Sequence, residues 1–186
     1  MPRIALLSLV TLSLAVGCAA STKHADTHPS HPDASNVVKP ASDSQRAAML
    51  DRVKSLAGTW EMSGPDGKTA TIVFGVTAAG SAVREVMFPG TEHEMTNMYH
   101  MDGESLVVTH YCGSGNQPRM RASSAAADRI DFEFDSVTNM TAADQDTMAN
   151  LSLVWIDADH IQQVWRSFKS GKASPHAVFD LQRRKE

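Results

Sequence analysis

The chain has two cysteines in 186 residues, and one of them, Cys18, directly follows an N-terminal leader and is expected to be taken up by lipid. Cys112 is thus left without an intramolecular partner, which excludes a disulfide framework and makes packing the source of stability. Charge of one sign is also scarce. Lys and Arg number 17 against 21 Asp and Glu, a formal net charge of -4, and the basic residues are scattered apart from Arg183-Arg184-Lys185. Without a basic stripe to track phosphates, nucleic acid is excluded as an expected partner. The sequence has no Gly-x-Ser-x-Gly, no His-Glu-x-x-His and no phosphate-cradling glycine loop, so nothing in it points to those hydrolases or nucleotide enzymes. The apolar run from Ile4 to Val16 is too short to cross a bilayer as a helix.

That run carries a different meaning. Arg3, the apolar stretch and Leu14-Ala15-Val16-Gly17-Cys18 together have the form of a bacterial lipoprotein signal, residues 1–17, with the mature chain beginning at a lipidated Cys18. An ordinary cleaved leader with Cys18 incidental is the alternative. The lipoprotein reading places the protein at the cell envelope, anchored to the outer membrane and facing the periplasm, where ATP and nicotinamide cofactors are not at hand. From residue 18 to 42 the chain is mostly Ser, Thr, His, Asp, Pro and Ala, with too little apolar surface to offset the entropy of ordering. It reads as a flexible tether. His24, His28 and His31 are spaced to hold a transition metal loosely, or are simply polar spacer residues.

The globular domain spans 43–186. Ser42-Asp43-Ser44-Gln45 has the Ser-x-x-Gln form of a capping box, and Met49, Val53 and Leu56 recur at helical spacing before Gly58, predicting one helix over 43–56. After Gly58 the period changes to two. Short runs rich in Val, Ile, Thr, Phe and Trp, separated by Gly, Asp, Asn and Pro, predict about ten strands. They fall at 58–63, 69–76, 81–88, 93–101, 104–112, 118–124, 129–135, 151–157, 160–168 and 175–183. Connections as short as Asp102-Gly103 and Ser170-Gly171-Lys172 cannot hold parallel crossovers, so consecutive strands pair antiparallel. The expected fold is mainly β: an antiparallel up-and-down β-barrel behind one short α-helix, closed so that no edge is exposed.

The helix followed by Leu56-Ala57-Gly58-Thr59-Trp60 resembles the Gly-x-Trp opening of the calycins, the lipocalin and fatty-acid-binding-protein superfamily. The resemblance covers roughly 58–184. It implies that Trp60 closes one end of the barrel and that an Arg of the last strand, Arg183 or Arg184, packs on the indole. Thr109-His110-Tyr111-Cys112 with Gly115-Asn116-Gln117-Pro118-Arg119-Met120 is also similar to a segment of uncharacterised bacterial exported proteins, and that likeness implies no activity.

One hairpin can be read residue by residue. With Asp102-Gly103 as the turn, Met101 pairs with Glu104, Tyr99 with Leu106, Asn97 with Val108, Met95 with His110 and His93 with Cys112, all on one face. Leu106 and Val108 make that face the candidate interior, which would gather His93, Met95, His110 and Cys112 in the lumen. Facing Cβ atoms lie about 5 Å apart, close enough for such a set to surround copper(I) or zinc. A single His in an apolar lumen could instead hold haem iron. The same residues also fit ordinary core packing, so no cofactor is required. His110 and Cys112 are too far apart along one strand for a thiol-activating hydrogen bond, and no third orienting group is apparent, so the chain is not expected to be an enzyme.

Other strands carry charge on either face. In 82–88, Ala82, Arg84, Val86 and Phe88 alternate with Val83, Glu85 and Met87, and near 161–168, Ile161, Gln163, Trp165 and Ser167 alternate with Gln162, Val164, Arg166 and Phe168. Either choice for 82–88 turns a charge inward, as a ligand cavity with an Arg-Glu pair or an anionic head group would tolerate and a dry core would not. Ile130, Phe132 and Phe134 alternate cleanly with Asp131, Glu133 and Asp135. The stretch from Ser136 to Asn150 is long for a hairpin connection, and reads as a lid over one barrel mouth or as a surface loop.

The expected protein is a monomeric, membrane-anchored barrel that sequesters or transfers a small, largely apolar or amphipathic ligand. Tyr99, His110, Cys112, Phe132 and Trp165 are the expected lumen contacts, with Arg119, Arg121 or Arg166 for a head group. A metal or haem binder and a structural module without ligand are the rivals. The leader has a direct test: Cys18→Ser should abolish incorporation of radiolabelled palmitate and release the protein from the membrane fraction. Unchanged labelling would overturn the lipoprotein reading.

Overall fold

The structure is a computed structural model that describes residues 37–64, 67–170 and 172–185. The expected leader, Cys18 and the tether histidines lie outside the described residues. The Ser42 side chain accepts from the Gln45 backbone N–H and the Gln45 side chain accepts from the Ser42 N–H, so the capping box forms as expected. It opens helix α1 over 43–54, which begins as α-helix at Asp43–Arg46, passes through a π turn at Ala47–Asp51 and ends as α-helix at Arg52–Lys54. Met49, Leu50 and Val53 on the helix, with Leu56 just after it, are buried. At about 1.5–3 kcal/mol for each large apolar side chain, this burial holds a short helix that would not be stable alone.

Eleven strands follow: β1 (Gly58–Ser63), β2 (Thr69–Thr77), β3 (Ala82–Met87), β4 (Met95–Asp102), β5 (Ser105–Tyr111), β6 (Gln117–Ala122), β7 (Arg129–Thr138), β8 (Thr147–Trp155), β9 (His160–Lys169), β10 (Lys172–Ala173) and β11 (Ala177–Arg183). Each pairs antiparallel with its neighbour in sequence from β1 to β9, β9 pairs with β11, and β11 returns to β1. Ten strands thus make a closed barrel, and the two-residue β10 is a spur on β9. The up-and-down order gives the barrel two poles. One is covered by α1 and the turns at 103–104 and 156–159. The other, the mouth, is where β1, β3, β5, β7 and β9 end.

The covered pole is fastened by one side chain. Arg183 stacks its guanidinium over the buried Trp60 ring at 4.3 Å from the centroid, and donates to the carbonyls of Ala57 and Ser55 at 2.9 and 3.0 Å and to Asp159 Oδ1 at 3.0 Å. Trp60 Nε1 donates to the Leu56 carbonyl at 2.8 Å. Of the two candidates for this position, Arg183 takes it, while Arg184 binds Glu61 on the outside. The glycine before it follows from the same contact: Gly58 has φ +127°, and a Cβ there would sit 3.2 Å from Arg183 Nη1. Residues 37–42, expected to belong to the tether, instead lie along this pole, where Lys39 pairs with Glu104 at 2.9 Å and Ala41 is buried.

Two expectations change. β7 runs on to Thr138 and β8 begins at Thr147, so seven residues of the predicted Ser136–Asn150 connection are strand and the other eight, 139–146, remain as loop. The alternation of β7 also fails at Phe134, which is 48% exposed and lies beside a register shift opposite Arg119 and Met120.

Arg183→Met should lower unfolding free energy by about 2 kcal/mol, because it removes the cation on Trp60 and three hydrogen-bond donors. Arg184→Met, which loses an exposed pair, should change it by less than about 1 kcal/mol. Urea denaturation of both variants checks the difference, and equal effects would contradict the assignment of Arg183 as the fastening.

Candidate functional site

The inward positions of β3 are Val83, Glu85 and Met87, so the strand that had to turn a charge inward turns Glu85. Register then builds a polar layer. Glu85 pairs with Asn97 and Asn97 with His110, which puts all three on one face. From across the barrel, β9 contributes Gln163 and Trp165.

Glu85 is fully buried and accepts three hydrogen bonds: from Asn97 Nδ2 at 2.7 Å and Tyr99 OH at 2.6 Å on one oxygen, and from Gln163 Nε2 at 2.7 Å on the other. A carboxylate has only acceptors, so it demands donors from every side, and these supply them. Burial nevertheless pushes the Glu85 pKa up, with the three hydrogen bonds pulling it down. Burial and the neighbouring Glu85 charge push the Tyr99 phenol well up as well, which keeps its proton in place. Once their amides donate to Glu85, the carbonyl ends of Asn97 and Gln163 point the other way. Gln163 Oε1 accepts from Trp165 Nε1 at 3.1 Å and Asn97 Oδ1 meets His110 Nδ1 at 2.7 Å. The loop closes through ring contact between His110 and Trp165, 5.1 Å between centroids.

His110 is therefore defined chemically. A carbonyl oxygen can only accept, so Nδ1 carries the proton and Nε2 keeps a bare lone pair. Nε2 is buried and has no hydrogen-bond partner. Burial drives the His110 pKa down from 6.5 to about 4, so the ring is neutral at pH 7.

The polar layer and the large side chains around it, including Trp60, Phe74, Tyr99 and Phe132, fill the middle of the barrel. Space opens at the mouth. A cleft of about 980 Å³ is lined by Lys68, Ala70, Thr71, Phe88, Pro89 and Met95 among others. Phe88 has φ +56°, a left-handed backbone that a non-glycine residue rarely adopts, and packs edge-on against Phe179 of β11 at 5.8 Å. Met95 joins cleft and polar layer, because it lines the cleft and is the next inward position on β4 after Asn97. Nearby, loop 139–146 is laced to loop 112–116: Asn139 and Gln145 donate to the carbonyls of Gly115 and Ser114, and the buried Asn116 donates to that of Asp146.

The expected site residues divide. Tyr99, His110, Phe132 and Trp165 lie together inside. Cys112 stands half-buried just past the end of β5, where its Sγ accepts from the Ser114 N–H at 3.5 Å. Arg119 and Arg121 point outward and pair with Asp102 at 2.9 and 2.6 Å and with Asp135 at 3.2 and 3.5 Å. Arg166 is also outside, against His176. None of the three can meet a head group in the lumen.

The expected quartet of His93, Met95, His110 and Cys112 is not assembled. The turn centres on Gly103-Glu104 rather than Asp102-Gly103, so Asn97, not Met95, faces His110, and His93 sits before β4 with its side chain 77% exposed. Among the described residues no group of three or more His, Cys, Asp or Glu is placed to hold a metal ion. Sequence reasoning missed Asn97 and Gln163 as functional residues. The signal for both was present, since each shares an inward face with residues it had chosen, Tyr99 and Trp165.

No protein-family model matches the chain, and no curated protein is significantly similar to it.

The depressed His110 pKa carries a sign. The unfolded histidine takes up a proton near 6.5 and the folded one only near 4, so stability falls as pH drops through this window, by roughly 3 kcal/mol in all. Glu85, shifted upward, acts in the opposite direction, but it is common to wild type and His110 variants. His110→Phe should therefore gain stability relative to wild type by roughly 3 kcal/mol between pH 7 and pH 4. Parallel urea midpoints across that range would contradict the buried neutral imidazole.

Proposed function

We propose that this protein is a lipid-anchored, calycin-like envelope barrel that binds a small, largely apolar molecule at its mouth, for sequestration or transfer rather than catalysis. The observation that carries the reading is the cleft of about 980 Å³ beside Phe88, Pro89 and Met95, a volume at the upper end of small-molecule sites and partly apolar in its walls. The calycin assignment is supported by Gly58-Thr59-Trp60 and by Arg183 stacked over the indole. The ligand space is narrower than an open lumen, because the polar layer and the aromatic core occupy the barrel below the mouth. That filling favours a second reading, a structural envelope module with no ligand.

The two readings separate in one experiment. N-phenyl-1-naphthylamine, a neutral apolar fluorophore, should brighten on binding the full-length protein. Ala70→Trp, which fills the cleft from β2, should weaken that binding at least about tenfold, a loss in the range of one good apolar contact region. Native mass spectrometry of protein extracted gently from its own membrane should show a retained small molecule. Absence of both signals would select the structural module.

A further inference from the structure

The polar layer does more than neutralise Glu85, because each hydrogen bond in it fixes the direction of the next. Three donors on the carboxylate orient Asn97, Asn97 sets the tautomer of His110, and Trp165 packs against the imidazole. The result is an acceptor held in place and left without a partner: Nε2 of a histidine that is 1% exposed. A buried polar atom left unpaired is destabilising, so the site is organised at a cost that a bound donor would remove. Met95 lies between this nitrogen's layer and the cleft, and its unbranched, flexible thioether can swing aside.

We propose that His110 Nε2 is the acceptor for a hydroxyl or N–H group at the inner end of a neutral, largely apolar ligand seated in the mouth cleft. This rests on the mouth-cleft reading above and adds the chemical class of the ligand. The buried layer around Nε2 selects against charge. The buried ionisable side chains among the described residues are Glu85, Tyr99 and His110 itself, with no Lys or Arg among them, so an anionic head group would enter a layer that already contains a carboxylate. A cationic head group gains little, since Glu85 already accepts from three donors. A metal would need further ligands beside Nε2, and the described residues bring no such group of His, Cys, Asp or Glu to it. A neutral donor needs only what is present, one unpaired lone pair in the layer that Met95 separates from the cleft.

The test uses three probes of one shape with the full-length protein: 1-naphthol, 1-methoxynaphthalene and 1-naphthoate. Naphthol should bind about tenfold more tightly than its methyl ether, and naphthoate more weakly than either. In His110→Phe, which keeps a ring against Trp165, the preference for naphthol over the ether should fall to about one. Nitrogen NMR of labelled wild-type protein supplies a readout that needs no variant. His110 should show a protonated Nδ1 and a bare Nε2, and Nε2 should shift with naphthol but not with the ether. Equal binding of naphthol and ether in wild type, or a preference that survives in His110→Phe, overturns this inference while leaving the mouth cleft a ligand site. Copper(I) or zinc moving the Nε2 resonance when naphthol does not would assign the nitrogen to a metal and overturn it as well. Failure of all three probes to bind at millimolar concentration would sink both readings together.

Discussion

Glu85 places a carboxyl group at the centre of the barrel, and among the described residues no buried cation accompanies it. Isolated, such a charge would cost several kcal/mol, more than a domain of this size can spare. The barrel answers with geometry instead of countercharge. Tyr99 and Asn97 approach from the adjacent strand and Gln163 from the opposite wall, and the hydrogen bonds of His110 and Trp165 follow from those contacts. Because Gln163 reaches Glu85 across the interior, the same bonds that satisfy the carboxylate also tie the two sides of the sheet together. The lumen is filled at this level by a layer whose hydrogen bonds orient one another.

Such a layer has a bearing on where a guest can sit. Closing ten strands leaves an interior wide enough for side chains or for a ligand, and here the side chains take the middle. The covered pole is shut by α1 and by Arg183 on Trp60, which leaves the mouth. Two of its loops are laced together by the amides of Asn116, Asn139 and Gln145, so that side of the rim is held by specific hydrogen bonds while the cleft opens beside the β1–β2 and β3–β4 connections.

Most of the architecture was legible from alternation. Period-two runs gave the ten barrel strands within a few residues, because a strand with one face in a core cannot hide its pattern. The face of the β4–β5 hairpin was also readable, although its register was not. Moving the turn from Asp102-Gly103 to Gly103-Glu104 changes each partner by two residues, which preserves the face and changes the neighbours. Gly103 is left-handed in either register, so its presence alone could not choose. Its Cβ would meet the Lys39 carbonyl at 3.1 Å, a contact from a segment that pattern analysis assigned to a tether. The site was harder to read for a related reason. Arg119 and Arg121 alternate as a buried pair would, but Asp102 and Asp135, distant in sequence, draw them outward. Glu85 could be narrowed only to one of two faces, since its three donors come from two other strands and no local pattern records them.

Phe88 bears on how the mouth opens. Its left-handed backbone costs roughly 1–2 kcal/mol relative to an ordinary conformation, and the edge contact with Phe179 helps to offset it. A ring held in such a posture is easier to dislodge than a relaxed one, because leaving its seat lets the backbone recover part of what it lost. In the proposed ligand-binding role, moving this ring aside would therefore require less work than the packing of two phenyl rings by itself suggests.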